Sequence, residues 1–438
     1  MTVGHSQVRN EGAVIEPANA GPRPDHPARA TSKGADRRLI GLLILPGVAM
    51  YATFQGLQQI LIPAQMEAMD PANKVANLGL LTTLSAISAV ISLPMGGAVS
   101  DRTRSRWGRR TPWLASMALA SALLMILMSQ AVSLVTFALI YIALWFTANF
   151  YQGALTAVLP DRIPPEKRGI ASAMVGLSVP LGIVLGVNIA ARADATASYA
   201  IIAAALVALT ATFLICAPEG PYWSEKVVPA VKKLGLSRRI ANFFASFRSP
   251  DFTFAFLSRA LLFIAYFSVS GFLFYFVQDR VGIATLPQRS VKVAISILST
   301  VNMISWIGAI FLSGWLADRL QRHKLIVGIS AIGMGLSLMV PIISPDWHGM
   351  LLYSILNGIF FGTYMAIDMA LMSFVLPEEE AAGRDMGLLA VATAAPQLVS
   401  PAISGTLILT FGYNALYLFG AVMALAAGVS AFFIRGIR

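Results

Sequence analysis

GGAVSDRTRSRWGRRTPW, Gly96 to Trp113, places five arginines and one aspartate between two long apolar runs. The runs on either side, 76–100 and 112–132, are each long enough to cross a bilayer, which takes about 20 apolar residues. The whole chain has the same character. It is 438 residues long, 57% hydrophobic and only 12% charged, with a mean hydropathy of +0.71. Soluble domains are nearer half apolar and a quarter charged. Most of this surface therefore needs lipid as its solvent, and the sequence predicts an all-α membrane protein with twelve transmembrane helices. Six spans fall within 39–217 and six within 252–435, the seventh reading as one run over 252–279. A strand barrel would show alternating segments of about 10 residues, and none is present.

The arginine-rich gap also orients the chain. With alternate loops assigned to alternate sides, 26 of the 32 Lys and Arg fall on the side of the N-terminal segment, and five on the other. Positive charge is retained in the cytoplasm, so a multi-pass protein of the cytoplasmic (inner) membrane with both termini inside is expected. Residues 1–38 are rich in Pro, Ala, Gly and charge. They read as a disordered cytoplasmic tail rather than a signal peptide. The net charge of +11 follows from this topology and implies no nucleic-acid partner. Cys216 is the single cysteine and cannot form an intrachain disulfide. The histidines form no metal-ligand cluster, and there is no phosphate-cradling loop, nucleophile elbow or zinc motif. No metal and no cofactor is expected, nor an ATP-driven pump.

A weaker echo of the opening stretch lies 217 residues on. Gly97-x-x-x-Asp101-Arg102 recurs as Gly314-x-x-x-Asp318-Arg319. Leu159-Pro160-Asp161 ahead of Arg168 recurs, at the same offset, as Leu376-Pro377-Glu378 ahead of Arg384. Two matches at one offset near half the chain argue for two parallel six-helix halves. The expected organisation is a tail (1–38), a first half (39–217), a basic cytoplasmic linker (218–250) and a second half (251–438). One chain then contains both halves, so a functional monomer is expected.

Topology accounts for the arginines but not for the recurring glycine and aspartate. Gly97 is expected to let a neighbouring helix approach closely. Asp101 is expected to meet the positive N-terminus of a helix from the other half. Gly97, Asp101, Arg102, Arg109 and Arg110, with Gly314, Asp318 and Arg319, then form a conformational latch that holds the halves together in one conformation.

At this point the residues resemble a known family. The loop around Gly97–Arg110 looks like a lengthened form of the major facilitator superfamily signature. Its D-R-T-R-S-R-W-G-R-R-x-P-W pattern is similar to that of glycoside–pentoside–hexuronide symporters and sucrose-type transporters. Asn149-Phe-Tyr-Gln152-Gly153 with Leu159-Pro160-Asp161 resembles the fourth-helix region of sucrose-type carriers. Ile367-Asp368-Met369, Asp385-Met386-Gly387 and Pro396-Gln397 resemble the tenth and eleventh helices of related bacterial carriers. The resemblance implies a secondary transporter of small solutes. Sodium-coupled members of the melibiose type carry acids in the second helix, whereas residues 76–100 contain none. Proton coupling, or none, is therefore favoured over sodium.

Polar side chains within spans are the candidates for the site, because lipid penalises them unless they line a cavity. Gln55, Gln58 and Gln59 share one face of the first span. Asn149 and Gln152 lie in the fourth, Asn302 in the eighth, and Asn357 and Tyr364 in the tenth. Amides both donate and accept, which suits a hydroxyl-rich solute. The alternative for each is hydrogen bonding between helices. Matched breakers in the fifth span (Gly176, Pro180, Gly182, Gly186) and the eleventh (Pro396, Pro401, Gly405) suggest a rocking or gating role.

Two ionisable residues, Arg259 and Asp368, lie inside spans at similar depth, about 10 Å from the same side. They are expected to pair, either as a proton-responsive coupling site or as a permanent structural lock. The chain thus reads as an alternating-access carrier of a small-molecule substrate, a sugar or glycoside, with H+ as the coupled ion. An efflux carrier for amphipathic compounds is the alternative. An integral-membrane enzyme is disfavoured, because no catalytic set is clustered.

Overall fold

The computed structural model of the chain describes residues 33–222, 246–320, 322–374 and 382–434. The expected tail up to residue 32, most of the 218–250 linker and the Leu376-Pro377-Glu378 motif lie outside the described residues. Among the described residues twelve helices are long and apolar enough to span a bilayer. In the first half these are α1 (Arg37–Met69), α2 (Lys74–Arg102), α3 (Thr111–Ser129), α4 (Leu134–Arg162), α5 (Pro165–Arg192) and α6 (Ala195–Cys216). In the second they are α7 (Pro250–Ser270), α8 (Val291–Gly314), α9 (His323–Ile343), α10 (Trp347–Asp368), α11 (Val391–Phe411) and α12 (Tyr413–Phe432). Helices dominate because a chain in hydrocarbon must satisfy every backbone group internally. Residues 33–38, expected as tail, are already helical.

The helix pairs that touch in the first six recur in the last six. α1 packs on α5 and α6, as α7 packs on α11 and α12. α2 packs on α4 as α8 packs on α10, and α3 on α4 and α6 as α9 on α10 and α12. Between the halves the main pairs are α2 with α11 and α5 with α8, again related by the repeat.

Small residues allow these approaches. At the α2–α4 crossing, a Cβ on Gly96 would collide with the Phe150 carbonyl oxygen, and one on Gly153 with that of Leu93. The close approach therefore belongs to Gly96 and not to Gly97, whose Cβ would meet only the Gly153 oxygen at 3.9 Å. Which of two adjacent glycines faces the neighbour depends on helix rotation, and their sequence is silent on that. A Cβ on Gly314 would meet nothing among the described residues, so the second copy of the motif carries no such crossing there.

Among the described residues two helices carry π turns, and neither is one of the pair rich in breakers. α5 and α11 run unbroken through Pro180 and through Pro396 and Pro401. Instead α1 contains a π-helical turn at Leu57–Leu61. The span read as 252–279 is interrupted as well: α7 ends at Ser270, the chain bends at Gly271 and Phe272, and helix resumes over Leu273–Phe276 into a second π turn at Val277–Val281. Glycine and aromatic residues leave the hydropathy of this run unbroken, so composition does not register the bend. π turns recur at functional positions, and these two occupy corresponding helices of the two halves.

Candidate functional site

The central cavity lies between the halves. α1 contributes Gln55, Gln58 and Gln59, α2 Thr82 and Ala86, and α4 Trp145. The second half contributes Tyr266, Phe267, Ser270, Gly271 and Phe272 from α7 and its bend, and Gln397 and Pro401 from α11. The empty space at this site is about 740 Å³, open solvent included. Four amides and three hydroxyls thus face aromatic surfaces, and among the described residues no charged side chain is in the lining. Gln59 links the halves at this site: its Nε2 donates to Gln55 Oε1 at 2.7 Å, and its Oε1 accepts from Ser299 Oγ of α8 at 2.6 Å.

The other amides singled out in the sequence lie elsewhere. Asn149 is buried and donates to the Trp145 carbonyl oxygen of its own helix. Gln152 is half-buried and outside the cavity lining. Asn302 donates to the Ser354 carbonyl oxygen at 3.0 Å and to Asn357 Oδ1 at 3.3 Å, joining α8 to α10. Tyr364 is fully buried and does not line the cavity. Thr82, Ser270, Phe267 and Phe272 do line it and carry no sequence signal, since hydroxyl residues occur in all twelve spans and aromatic residues in most.

Arg259 and Asp368 meet. Arg259 Nη1 is 2.7 Å from Asp368 Oδ2, and Arg259 Nε donates to Thr393 Oγ1 of α11 at 3.0 Å. Asp368 is fully buried, and its Oδ1 has no hydrogen-bond partner among the described residues. Tyr364 OH and Ser258 Oγ lie against the pair, also without an aligned hydrogen bond. A carboxylate held by one cation and flanked by unsatisfied hydroxyls has the partners needed to hold or release a proton.

On the face opposite the basic loops a charged seal joins the halves, and sequence reasoning missed it. Lys74 Nζ lies 3.1 Å from Glu67 Oε1 in its own half and 2.8 Å from Asp279 Oδ1 in the other. Gln278 Nε2 donates to Glu67 Oε1, and Tyr413 OH donates to Asp279 Oδ2 at 2.6 Å. Tyr275 OH donates to the Pro63 carbonyl oxygen at 3.0 Å. Nearby, Gly79 of α2 faces Pro401 and Gly405 of α11, and Asn188 of α5 donates to Thr300 Oγ1 of α8 at 3.1 Å. The bend after α7 brings Tyr275, Gln278 and Asp279 into this seam.

On the basic face the signature loop closes on its own half. Arg110 is 2% exposed, and its Nε donates to Asp161 Oδ2 at 2.9 Å and its Nη1 to the Gly97 carbonyl oxygen at 3.1 Å. It also pairs with Asp101, and Arg109 pairs with Asp161 and Asp101. Gly108, at φ +97°, makes the tight turn. The loop's turn into α3 is capped by Glu219, whose Oε2 accepts from the Arg110 amide at 2.7 Å and the Thr111 amide at 3.0 Å. In this conformation the partners of Asp101 among the described residues, Arg109 and Arg110, belong to the first half. Arg102 and Arg319 are exposed, and the side chain of Asp318 lies outside the described residues.

Twelve spanning helices in two matched halves, with a cavity between them sealed at one end, define a multi-pass membrane transporter fold. The comparisons identify it further. The family model of the Major Facilitator Superfamily matches residues 44–305 and 290–437, and the chain belongs to that superfamily. It is a transporter and not an enzyme. Structural likeness covers nearly the whole chain. A point mutant of the peptide transporter POT, in complex with sulfate, aligns over 90% of this chain and 94% of its own, at TM-score 0.71 and 13% identity. A point mutant of the nucleoside transporter NupG aligns over 90% and 98%, at 0.67 and 15%. A bacterial homologue of the human lysosomal transporter Spinster, inward-facing and occupied, aligns over 92% and 97%, at 0.67 and 13%. At such identities the likeness concerns the fold. A curated relative, an uncharacterized symporter of Synechocystis sp., is 35% identical over 78 residues; the match spans 18% of this chain and 11% of that protein.

Proposed function

We propose that the protein is a proton-linked importer of a neutral, hydroxyl-rich solute, a sugar or glycoside, working by alternating access. The observation that carries this reading is the cavity lining. Gln55, Gln58, Gln59 and Gln397, with Thr82 and Ser270, offer donors and acceptors without charge, beside the flat rings of Trp145 and Tyr266. A peptide or an organic acid would call for a charged partner, which this wall lacks among the described residues. The resemblance of the signature loop to glycoside and sucrose carriers supports the same class, and the partial match to a symporter supports coupled uptake.

Two details complete the reading. The excess of Lys and Arg sets the basic face in the cytoplasm, so the sealed face is external. Asp368 is the proton-responsive group and Arg259 its counter-ion. Phe267, Phe272 and Ala86 in the wall favour the second reading, efflux of amphipathic compounds.

Uptake of radiolabelled sucrose and of phenyl glucosides into proteoliposomes, driven by an imposed pH gradient, tests the proposal. Asp368→Asn is expected to abolish uphill accumulation while exchange persists. Undiminished accumulation in that variant would refute proton coupling at Asp368. Transport of lipophilic cations, with no sugar or glucoside moved, would establish the efflux reading instead.

A further inference from the structure

Asp368 does not line the cavity. It is fully buried, and the solute space ends at residues of α1, α2, α4, α7 and α11. A solute that alters the charge on Asp368 therefore acts through intervening side chains. The described residues contain such a path.

Arg259, Phe263 and Tyr266 are spaced by four and three residues, hence on one face of α7; Phe361, Tyr364 and Asp368 are spaced by three and four on one face of α10. The two helices run in opposite directions, and the stripes face each other. At the shallow end Arg259 holds Asp368 at 2.7 Å. At the deep end the Tyr266 and Phe361 rings stack, with centroids 4.3 Å apart and an interplanar angle of 7°. Between them Phe263 meets Phe361 edge-on at 6.1 Å, and the Arg259 guanidinium lies 5.7 Å from the Phe263 centroid. Trp306 of α8 backs Phe361 at 5.3 Å. Extensive backbone contact between α7 and α10 is absent among the described residues, so these side chains are what joins them. Tyr266 alone of this set is in the cavity wall.

We infer that Tyr266 and Phe361 are positioning residues that connect the solute cavity to the Arg259–Asp368 pair. A sugar ring or aglycone packed on Tyr266 moves the stack. Because interiors are close-packed, the displacement passes through Phe263 to the guanidinium rather than being absorbed. Arg259 then changes its hold on Asp368, and solute and proton binding become energetically linked in both directions. The inference rests on the proton reading above and adds the route. The titratable groups acting on Asp368 are Arg259 from α7 and Tyr364 from its own helix.

The test needs no solute. The protonated carboxyl of Asp368 is followed by infrared difference spectroscopy of the purified full chain as pH is varied, with Asp368→Asn identifying the band. Tyr266→Ala and Phe361→Ala are expected to loosen Arg259 and move the midpoint to higher pH by about one unit, a tenfold change in proton affinity. Tyr266→Phe keeps the stacked ring and restores the parent midpoint. Phe254→Leu removes an aromatic ring from α7 that stacks on Phe433, away from this path, and leaves the midpoint in place. If Phe361→Ala fails to fold, Tyr266→Ala removes the other plate of the same stack. A parent titration unmoved by Tyr266→Ala and Phe361→Ala overturns the route while sparing the proton reading. The same shift in Phe254→Leu overturns it as general loosening. Absence of any Asp368-dependent titration overturns the proton reading and this inference with it.

Discussion

The two faces of the bundle use charge in opposite ways. On the basic face Asp101, Arg109, Arg110 and Asp161 all belong to the first half, and their pairs close a loop onto its own helices. On the far face Lys74 reaches across to Asp279, and Tyr275 and Gln278 of the second half bind the end of α1. The first arrangement survives any rigid-body tilt of the halves; the second must break when the far face opens. Similar chemistry is thus structural at one end and conformational at the other. What separates them is whether the partners move together.

The contrast can be broken most severely at Arg110. Its side chain is 3% exposed and serves two carboxylates, so Arg110→Ala leaves Asp101 and Asp161, 50% and 25% exposed, to Arg109 alone. Each pair to a partly exposed carboxylate contributes about 1 kcal/mol at most, so losing both costs about 2 kcal/mol. The expected outcome is a marked fall in the thermal unfolding midpoint in detergent, with the balance between conformations of the folded fraction unaltered. An unchanged midpoint would show that the loop is not a structural clasp.

Lys74→Met comes next. Its partners are partly exposed, so a loss of about 1 kcal/mol is expected, which shifts the population roughly fivefold toward opening of the far face. Distance distributions between spin labels in the 70–73 and 282–289 loops read this directly. Arg109→Ala, made in the same background, should leave those distances where they are. A change as large as that from Lys74→Met would erase the distinction between the two faces.

Ser299→Ala has the smallest expected effect. It removes one neutral hydrogen bond to Gln59, worth about 0.5 kcal/mol at the low end for such bonds, and should shift the population read by the same label distances about twofold. Because Gln59 lines the cavity, it ties the seal to the solute site. No shift at all would leave closure to Lys74 and the α2–α11 packing.

Much of this was legible before any coordinates. Spans were readable because hydrocarbon imposes its demand locally, over each run of about 20 residues. Arg259 and Asp368 could be matched because each, buried alone, is expensive. Gln55, Gln58 and Gln59 were placed together by helical spacing. Asn302 and Asn357 satisfied the same polar criterion, yet bond to each other, because a cavity and an interhelical contact leave the same mark on a sequence. Lys74 and Asp279, 205 residues apart, gave no sign of their pairing, since each sits at the end of an apolar run where charge is ordinary. The bend at Gly271 escaped for a similar reason: it changes backbone direction but not hydropathy.

The chain's own residues determined that it crosses the bilayer twelve times, that its charge is concentrated on one side, and that it is built from two copies of one plan. Each is a solvation or spacing property of a segment by itself. Only the tertiary structure decided which glycine lies at the α2–α4 crossing, that the signature loop clasps its own half, and that the far face carries the seal. These depend on helix rotation and on the relative tilt of two rigid halves, neither of which any single segment specifies.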